Sequence, residues 1–176
     1  MTEMGNKDIG INDNESKHEE VHYEGIGNEK VEPNKYSNQI TVFMESKSQN
    51  ESLARTIAAA FVAPLDPNIN DLTDIKTAIS EAITNAVIHG YTNGGGQIEL
   101  AMSIKNGEFH VSVTDHGLGI SNVDKAREPM YTTKAEIDRA GMGFTVMENF
   151  MDKVSITSAL GQGTTIKMSK KLTKDL

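Results

Sequence analysis

Residues 97–114 read QIELAMSIKNGEFHVSVT, and this stretch decides the fold class. Apolar and polar residues alternate over 97–105 and again over 108–114, which is the period of strands with one buried face. Between the two runs stands Asn106-Gly107, the dipeptide that suits the tight type I′ turn of a hairpin. The sequence therefore predicts two antiparallel strands joined by a two-residue turn.

Upstream of the hairpin, the pattern changes to that of one strand and two helices. Alternation of Ile40, Val42 and Met44 with polar neighbours predicts a strand that begins near Gln39. Asn50 is placed to cap a helix over 50–63, because its side chain can accept from free N–H groups of the first turn. The apolar stripe predicted for this helix is Leu53, Ile57 and Phe61, with Arg55 on the other side.

A longer helix is predicted from after Pro67 to about His89. Asp71 and Asp74 favour its N-terminus, where carboxylates complement the helix dipole, and Gly90 follows its end. Its apolar stripe is predicted to contain Leu72, Ile75, Ile79, Ala82 and Ala86.

Downstream of the hairpin, the sequence predicts a glycine-bearing loop from Asp115 and a polar stretch to Ala140. A short helix over 142–150 and strands over 153–158 and 164–170 follow. This order places helices against a largely antiparallel sheet and lacks the strand-helix alternation of a parallel sheet. We therefore expect an α+β fold, a two-layer sandwich whose mixed, mainly antiparallel sheet carries its helices on one face.

Composition divides the chain and excludes several classes of function. Residues 1–36 hold nine acidic residues against four lysines, with almost no periodic apolar content, so we expect a disordered acidic tail before a domain over 37–176. The formal net charge of -8 argues against direct binding of nucleic acid. The sequence contains no cysteine and no long apolar run, so the expectation is a cytoplasmic protein without a membrane span.

Polar residues follow one edge of the long helix. Glu81, Asn85 and His89 are spaced four residues apart, so each lies about one turn beyond the last on a shared face. They flank the apolar stripe, which places them at the margin of the core. Considered alone, such a row is more often the solvated margin of an ordinary helix, and a chemical role depends on the residues downstream.

Two glycine-bearing segments supply that context. Asp115-His116-Gly117-Leu118-Gly119 directly follows a predicted strand, and its glycines would let a ligand approach the main chain closely, although a plain turn would also explain it. Gly141-Met142-Gly143 opens the helix over 142–150, where free N–H groups and the helix dipole attract phosphate.

Four motifs, in the order in which they occur along the chain, resemble the nucleotide-binding boxes of the superfamily of gyrase, heat-shock chaperone and histidine-kinase ATPases. The motifs are Glu81-x-x-x-Asn85-x-x-x-His89, Asp115-x-Gly117-x-Gly119, Gly141-x-Gly143 and Gly163-Thr164-Thr165. Within this superfamily, the chain resembles the anti-sigma F family of sporulation serine-protein kinases. The stretches that carry this resemblance are residues 49–52, 80–91, 141–144 and 147–151. The resemblance covers about residues 38–172 and implies the Bergerat-type ATP-binding fold.

That resemblance implies a role for each matched residue. Asn85 would coordinate the Mg²⁺ that bridges the ATP phosphates, and Glu81 would act as the base toward a seryl hydroxyl. Asp115 would accept from the adenine amino group, with Thr165 nearby. The other implied nucleotide contacts are Gly117, Gly119, Gly141, Gly143 and, in a lid over 120–140, Thr133, Lys134 and Arg139.

The resemblance also implies an anti-sigma factor that binds and inhibits a sporulation sigma factor and phosphorylates an anti-anti-sigma protein on serine. Arg55 is our candidate contact for both partners, and a homodimer is expected. The alternative is a nucleotide-gated sigma-binding module without phosphotransfer, which has no need of Glu81 as a base. A two-component histidine kinase is disfavoured, because the sequence offers no helix pair to carry a phosphoacceptor.

Overall fold

The structure is a computed structural model, and it describes residues 38–91, 95–128 and 142–173. The expected acidic tail over 1–36 lies outside the described residues. In chain order the elements are β1 (Asn38–Glu45), α1 (Gln49–Val62), α2 (Ile69–Asn85), β2 (Gln97–Lys105), β3 (Glu108–Asp115), α3 (Val123–Ala126), α4 (Gly143–Phe150), β4 (Lys153–Ala159) and β5 (Gly163–Lys171). No helix among the described residues is long and apolar enough to span a membrane.

The strands form one five-stranded sheet in the order β1-β2-β3-β5-β4. All four pairings are antiparallel, whereas a mixed, mainly antiparallel sheet was expected. Asn106 and Gly107 both have positive φ, at 52° and 76°, as a type I′ turn requires at its two central residues. The predicted hairpin is confirmed.

One face of the sheet is apolar and carries the helices. Its fully buried residues include Ile98, Leu100, Phe109 and Val113, which pack with Ile75, Ile79 and Ile83 of α2 in one core. The opposite face is lined largely by Ser, Thr, His and Lys side chains. This is the predicted α+β sandwich with its helices on one face.

Helix α1 differs from its prediction in two respects. Ser48, not Asn50, is the N-cap residue, and the Asn50 side chain instead donates to the carbonyl of Glu45 at 2.7 Å. Leu53 is 48% exposed, because the small residues Ala54 and Ala58 form the buried stripe with Phe61 and Val62. Small side chains let α1 pack closely on α2, an outcome that hydrophobicity alone does not predict.

Helix α2 has its predicted stripe, but both of its ends have features that the sequence did not indicate. Asn68 caps it by accepting from the N–H of Asp71 at 2.8 Å. At the other end the chain widens into one π-helical turn, Ala86–Gly90, of a kind frequent at functional sites. The short α3 was also not predicted.

Asp71 forms hydrogen bonds to the chain just after β5, in addition to complementing the helix dipole. Its carboxylate accepts from the backbone and the hydroxyl of Thr173, both at 2.7 Å. The ammonium of Lys170 lies 3.7 Å from Asp71 and 3.0 Å from Asp74, and it donates to the carbonyl of Phe150 at 2.9 Å. Lys170 is 9% exposed, so this cluster is a partly buried ionic network that joins β5 to α2.

The substitution Lys170→Met is expected to lower the free energy of unfolding by about 3–5 kcal/mol, because two acidic groups then lose their cation in a poorly solvated site. Denaturant unfolding monitored by circular dichroism measures this. Lys171→Met, at the exposed next position of β5, is the matched control and should change the stability by under about 0.5 kcal/mol. Equal stabilities of the two variants would contradict the role assigned to the network.

Candidate functional site

Glu81 and Asn85 lie on the half-buried edge of α2 that faces the start of α4. A methyl group added at Gly143 would stand 3.2 Å from both amide atoms of Asn85 and 3.2 Å from Oε2 of Glu81. The first residue of α4 therefore comes against these two side chains without crowding them only because it is glycine. Three residues singled out in two separate motifs are thus adjacent in space.

A groove of about 890 Å³ opens beside Glu81 between α1, α2 and α4. Its lining includes Arg55 on α1, Lys76 and Ser80 on α2, and Met142 next to α4. Met142 is 45% exposed, so part of the rim is apolar. The groove therefore joins Glu81 to residues of α1 and α4 along one surface.

Arg55 is held in place by residues of this groove. Glu51, one turn earlier, accepts from the Ser80 hydroxyl at 2.5 Å and lies 3.2 Å from Nε of Arg55. The Arg55 side chain is still 40% exposed. The guanidinium is therefore oriented by α1 and α2 together while part of it remains available for contact with a partner.

Asp115 ends β3 beside Gly90, just beyond the C-terminal end of α2, and is only 5% exposed. Its Oδ1 accepts from the N–H of Gly117 at 2.9 Å, and a methyl group added at Gly90 would stand 2.8 Å from the same atom. Burial raises the pKa of the Asp115 carboxyl, and this outweighs the backbone hydrogen bonds from Gly117 and Thr164 and the charge of His116, which lower it. The structure thus holds a carboxylate in a poorly solvated position.

In the loop after Asp115, a side chain at either glycine would clash with the backbone of a neighbouring segment. A Cβ at Gly117 would lie 2.0 Å from the carbonyl oxygen of Gly90, which accepts from Leu118 at 2.9 Å. Gly119 has a φ of 70°, and a Cβ there would lie 2.0 Å from the oxygen of Ala159. The close packing of the loop is therefore sufficient to explain both glycines, whether or not a ligand binds there.

Tyr91 is a residue of this site that the sequence analysis missed. Its hydroxyl donates to the carbonyl of Gln97 at 2.7 Å and accepts from the N–H of His116 at 2.8 Å. It thereby joins the end of the π-helical turn to the start of β2 and to the loop after Asp115. A tyrosine after a helix-ending glycine is the signal that was available, but its partners are remote in sequence.

Thr165 lies apart from Asp115, contrary to expectation. In the β3-β5 register Thr165 is opposite Thr114, whose hydroxyl is 3.1 Å away, while Asp115 is opposite Thr164. Because successive strand residues point to opposite faces, Thr165 projects to the open face of the sheet and Thr164 to the helix side with Asp115. Thr164, which is 9% exposed, therefore takes the position that we expected Thr165 to occupy.

The remaining candidates are distributed as follows. Thr133, Lys134, Arg139 and Gly141 lie outside the described residues. His89 belongs to the π-helical turn and His116 is exposed. No group of three or more His, Asp or Glu side chains suited to a metal ion occurs in the part of the chain that the structure describes.

Comparison with known proteins identifies the architecture. Residues 44–170 match the family described as the histidine kinase-like ATPase domain. The chain is 51% identical over 138 residues to the anti-sigma F factor of Anoxybacillus flavithermus, an alignment that covers 78% of this chain and 94% of that protein. It is also 51% identical over 135 residues to the anti-sigma F factor of Clostridium kluyveri, covering 77% of this chain and 95% of that one.

Among solved structures, the chain is similar to the RsbU and RsbW domains of a Mycobacterium tuberculosis protein. The TM-score is 0.57 at 21% identity, over 79% of this chain and 34% of that one. At this level of identity the likeness concerns the fold alone.

Proposed function

Because the chain belongs to the anti-sigma F factor family and carries a histidine kinase-like ATPase domain, we propose that it is a serine/threonine-protein kinase that also sequesters a sigma factor. In this proposal it binds and inhibits a sporulation sigma factor and phosphorylates an anti-anti-sigma protein on serine with Mg-ATP. The partners are both proteins, and no direct contact with nucleic acid or membrane is involved.

The observation that carries the proposal is the position of Gly143 against Glu81 and Asn85, since a Cβ added at Gly143 would lie 3.2 Å from both side chains. The start of α4 offers free N–H groups and the positive end of a helix dipole, which favour phosphate. Beside it stand one carboxylate and one amide. Kinase chemistry needs this combination, a phosphate cradle next to a group that can accept the proton of a hydroxyl.

Asn85 suits a Mg²⁺ that arrives with the nucleotide. Mg²⁺ usually keeps waters and phosphate oxygens as ligands and takes only one or two groups from the protein. The amide oxygen of Asn85 can supply one such ligand. When bound, the ion would neutralise charge on the phosphates. Because the chain contributes so few ligands, metal affinity should depend on ATP.

Glu81 is our candidate catalytic residue. Glu81 lines the groove between α1, α2 and α4. A seryl side chain of the anti-anti-sigma protein would reach Glu81 through this groove. The role of Glu81 would be to accept the hydroxyl proton while the phosphates lie against the start of α4. Just beyond the C-terminal end of α2, Asp115 and the loop of Gly117 and Gly119 would hold the adenine.

The residues outside the described part of the chain keep their proposed roles. Gly141 would extend the phosphate cradle, and Thr133, Lys134 and Arg139 would contact the phosphates from a lid. Likewise we propose an acidic N-terminal tail over 1–36, a catalytic domain over 37–176, a cytoplasmic location and a homodimer. Light scattering coupled to size-exclusion chromatography measures the molar mass of the protein and therefore tests the homodimer directly.

The alternative is a nucleotide-gated sigma-binding module without phosphotransfer. Two measurements on the purified full chain separate the two functions. The first is capture of the sigma factor in the presence of ATP or ADP, and the second is transfer of radiolabelled phosphate from ATP to the anti-anti-sigma protein. Capture with transfer supports the kinase, and capture without transfer supports the module. A chain that binds no ATP would exclude both.

Replacement of Arg55 by alanine is expected to weaken binding of both the sigma factor and the anti-anti-sigma protein by about 30-fold each, a loss of about 2 kcal/mol that is typical of an interface arginine. The reason is that Glu51 and Ser80 orient the guanidinium at the edge of the groove. Surface plasmon resonance with each immobilised partner measures the two affinities.

Lys167→Ala is the control, because it removes an exposed cation from the opposite face of the sheet and should leave both affinities within about twofold. ATP affinity should not change in either variant. If the Arg55 variant bound both partners as tightly as the control does, the surface around α1 would not be the docking site.

A further inference from the structure

Three polar side chains form a row across the helix-facing side of the sheet, next to a row that is apolar. Asp115 on β3 is opposite Thr164 on β5, and Thr164 is in turn opposite Ser158 on β4. One step further into the core the corresponding row is Val113, Ile166 and Ile156. A hydrophobic face that ends in Asp, Thr and Ser is a candidate floor for a ligand that has both an apolar surface and a polar edge.

Ser158 is the most highly connected of the three. Its hydroxyl oxygen accepts from the N–H of Ile120 at 2.8 Å, and its O–H donates to the carbonyl of Gly163 at 2.8 Å. The hydroxyl oxygen of Thr164 lies 3.0 Å away. Ser158 thus connects the loop after Asp115 with the turn before β5.

The direction of the Ser158–Thr164 hydrogen bond follows from counting hydrogens. A serine hydroxyl has one hydrogen and two lone pairs. The carbonyl of Gly163 can only accept, so it takes the hydrogen of Ser158, and Ile120 occupies one lone pair. The remaining lone pair can only accept, so Thr164 must be the donor in the bond between the two hydroxyls.

That direction determines what Thr164 can offer to a ligand. Its only hydrogen is committed to Ser158, so it presents lone pairs alone, and an ionised Asp115 carboxylate also presents only lone pairs. The polar end of the floor is then a surface of acceptors. Such a surface favours a base with an amino group at this edge and disfavours one with a carbonyl oxygen, because two acceptors that face each other leave a buried group unsatisfied.

We infer that Ser158 is a positioning residue for base selectivity: by accepting from Thr164, it keeps the Thr164 hydroxyl an acceptor and thereby selects a 6-amino purine over a 6-oxo purine. This inference rests on the proposed ATP site. In chemical terms the prediction is a preference for ATP over inosine triphosphate that is set in part by a residue two strands away from Asp115.

The test is the ratio of the affinities for ATP and inosine triphosphate, measured by isothermal titration calorimetry on the full chain. In Ser158→Ala the Thr164 hydroxyl is free to turn and donate to a 6-oxo group, so the ratio should fall by about tenfold, the factor expected for one buried hydrogen bond. Ser155→Ala, an exposed serine of the same strand, is the control and should keep the original ratio.

Ser158→Cys is a second variant of nearly the same shape, and its weakly accepting sulfur should also lower the ratio, which keeps the test available if the alanine variant folds poorly. A purely structural role of Ser158 would weaken both nucleotides equally and leave the ratio unchanged, and that result would overturn the inference. Wild-type protein that binds no ATP would instead overturn the proposed function.

Double substitution shows whether Ser158 acts through Thr164. Thr164→Val alone should lower the ratio, because it removes the acceptor. Adding Ser158→Ala to Thr164→Val should then change the ratio no further, since the two effects share one hydroxyl. A further tenfold loss in the double variant would show that Ser158 acts on the base by another route and would overturn the inference.

Discussion

A Glu81→Gln variant is expected to transfer phosphate to the anti-anti-sigma protein about 10²–10⁴-fold more slowly than the unaltered chain, while it binds ATP with nearly the same affinity. Glutamine keeps the shape of the side chain but cannot take the proton of a seryl hydroxyl. Asn85 and the start of α4, which we propose as the ligands of the metal and the phosphates, are unchanged in this variant. Single-turnover transfer of radiolabelled phosphate and calorimetric titration with ATP measure the two quantities separately.

This variant also separates the two activities of the proposed kinase. If the chain is a kinase, Glu81→Gln should still capture the sigma factor in the presence of ATP, so inhibition and phosphorylation become separable. Glu99→Gln, on the open face of the sheet, is the control for a lost carboxylate and should transfer phosphate normally. Transfer at the normal rate by Glu81→Gln would rule out this residue as the base.

An Asp115→Asn variant is expected to lose about 100-fold in ATP affinity and to be more stable than the unaltered chain when no nucleotide is bound. The loss of affinity follows from placing an amide in a position where the adenine amino group needs an acceptor, and hydrogen bonds to charged groups contribute about 1.5–3 kcal/mol. Calorimetric titration with ATP checks the affinity.

The gain in stability follows from the pKa of Asp115, which burial raises above its ordinary value of 3.8. A raised folded-state pKa means that the native protein binds this proton more tightly than the unfolded chain does. The stability that the proton contributes is complete below about pH 3.8 and is lost as the pH rises through the folded-state pKa. At neutral pH the buried carboxylate therefore costs stability, and asparagine removes that cost.

Thermal unfolding of the nucleotide-free protein at several pH values measures this effect. The melting temperature of Asp115→Asn should exceed that of the unaltered chain at pH 7, and the difference should narrow as the pH falls toward 4. Asp124→Asn, at an exposed position in α3, should show no such trend. A variant less stable at pH 7 would mean that the ionised carboxylate stabilises the fold through its hydrogen bonds from Gly117 and Thr164.

The two ends of the site differ in how far the sequence could predict them. Glu81 and Asn85 share a helix, and the helical period alone placed them on one edge. Their approach to Gly143 joins two segments that are far apart in the chain, and only the packing of α2 on α4 brings them together. The motif order suggested this proximity through a family resemblance, whereas the physical cause is tertiary.

At the adenine end, the expectation failed by one residue. The choice between Thr164 and Thr165 depends on which of them is opposite Asp115, and a shift of one residue in register moves a side chain to the other face of a sheet. Ser158 and Tyr91 were missed for a related reason. Each acts through a hydroxyl whose partners are distant in sequence, such as Ile120 for Ser158 and His116 for Tyr91.

The five strands, helices α1, α2 and α4, and the fold class could be predicted from the sequence, because the periods of burial along strands and helices and the backbone requirements of Asn106-Gly107 are local properties of the chain. Only the tertiary structure decided which small residues α1 buries, how Asp71 and Lys170 join α2 to β5, and which threonine stands beside Asp115. These depend on strand register and on distances between segments, and the free energy of such contacts is set by neighbours that local patterns do not specify.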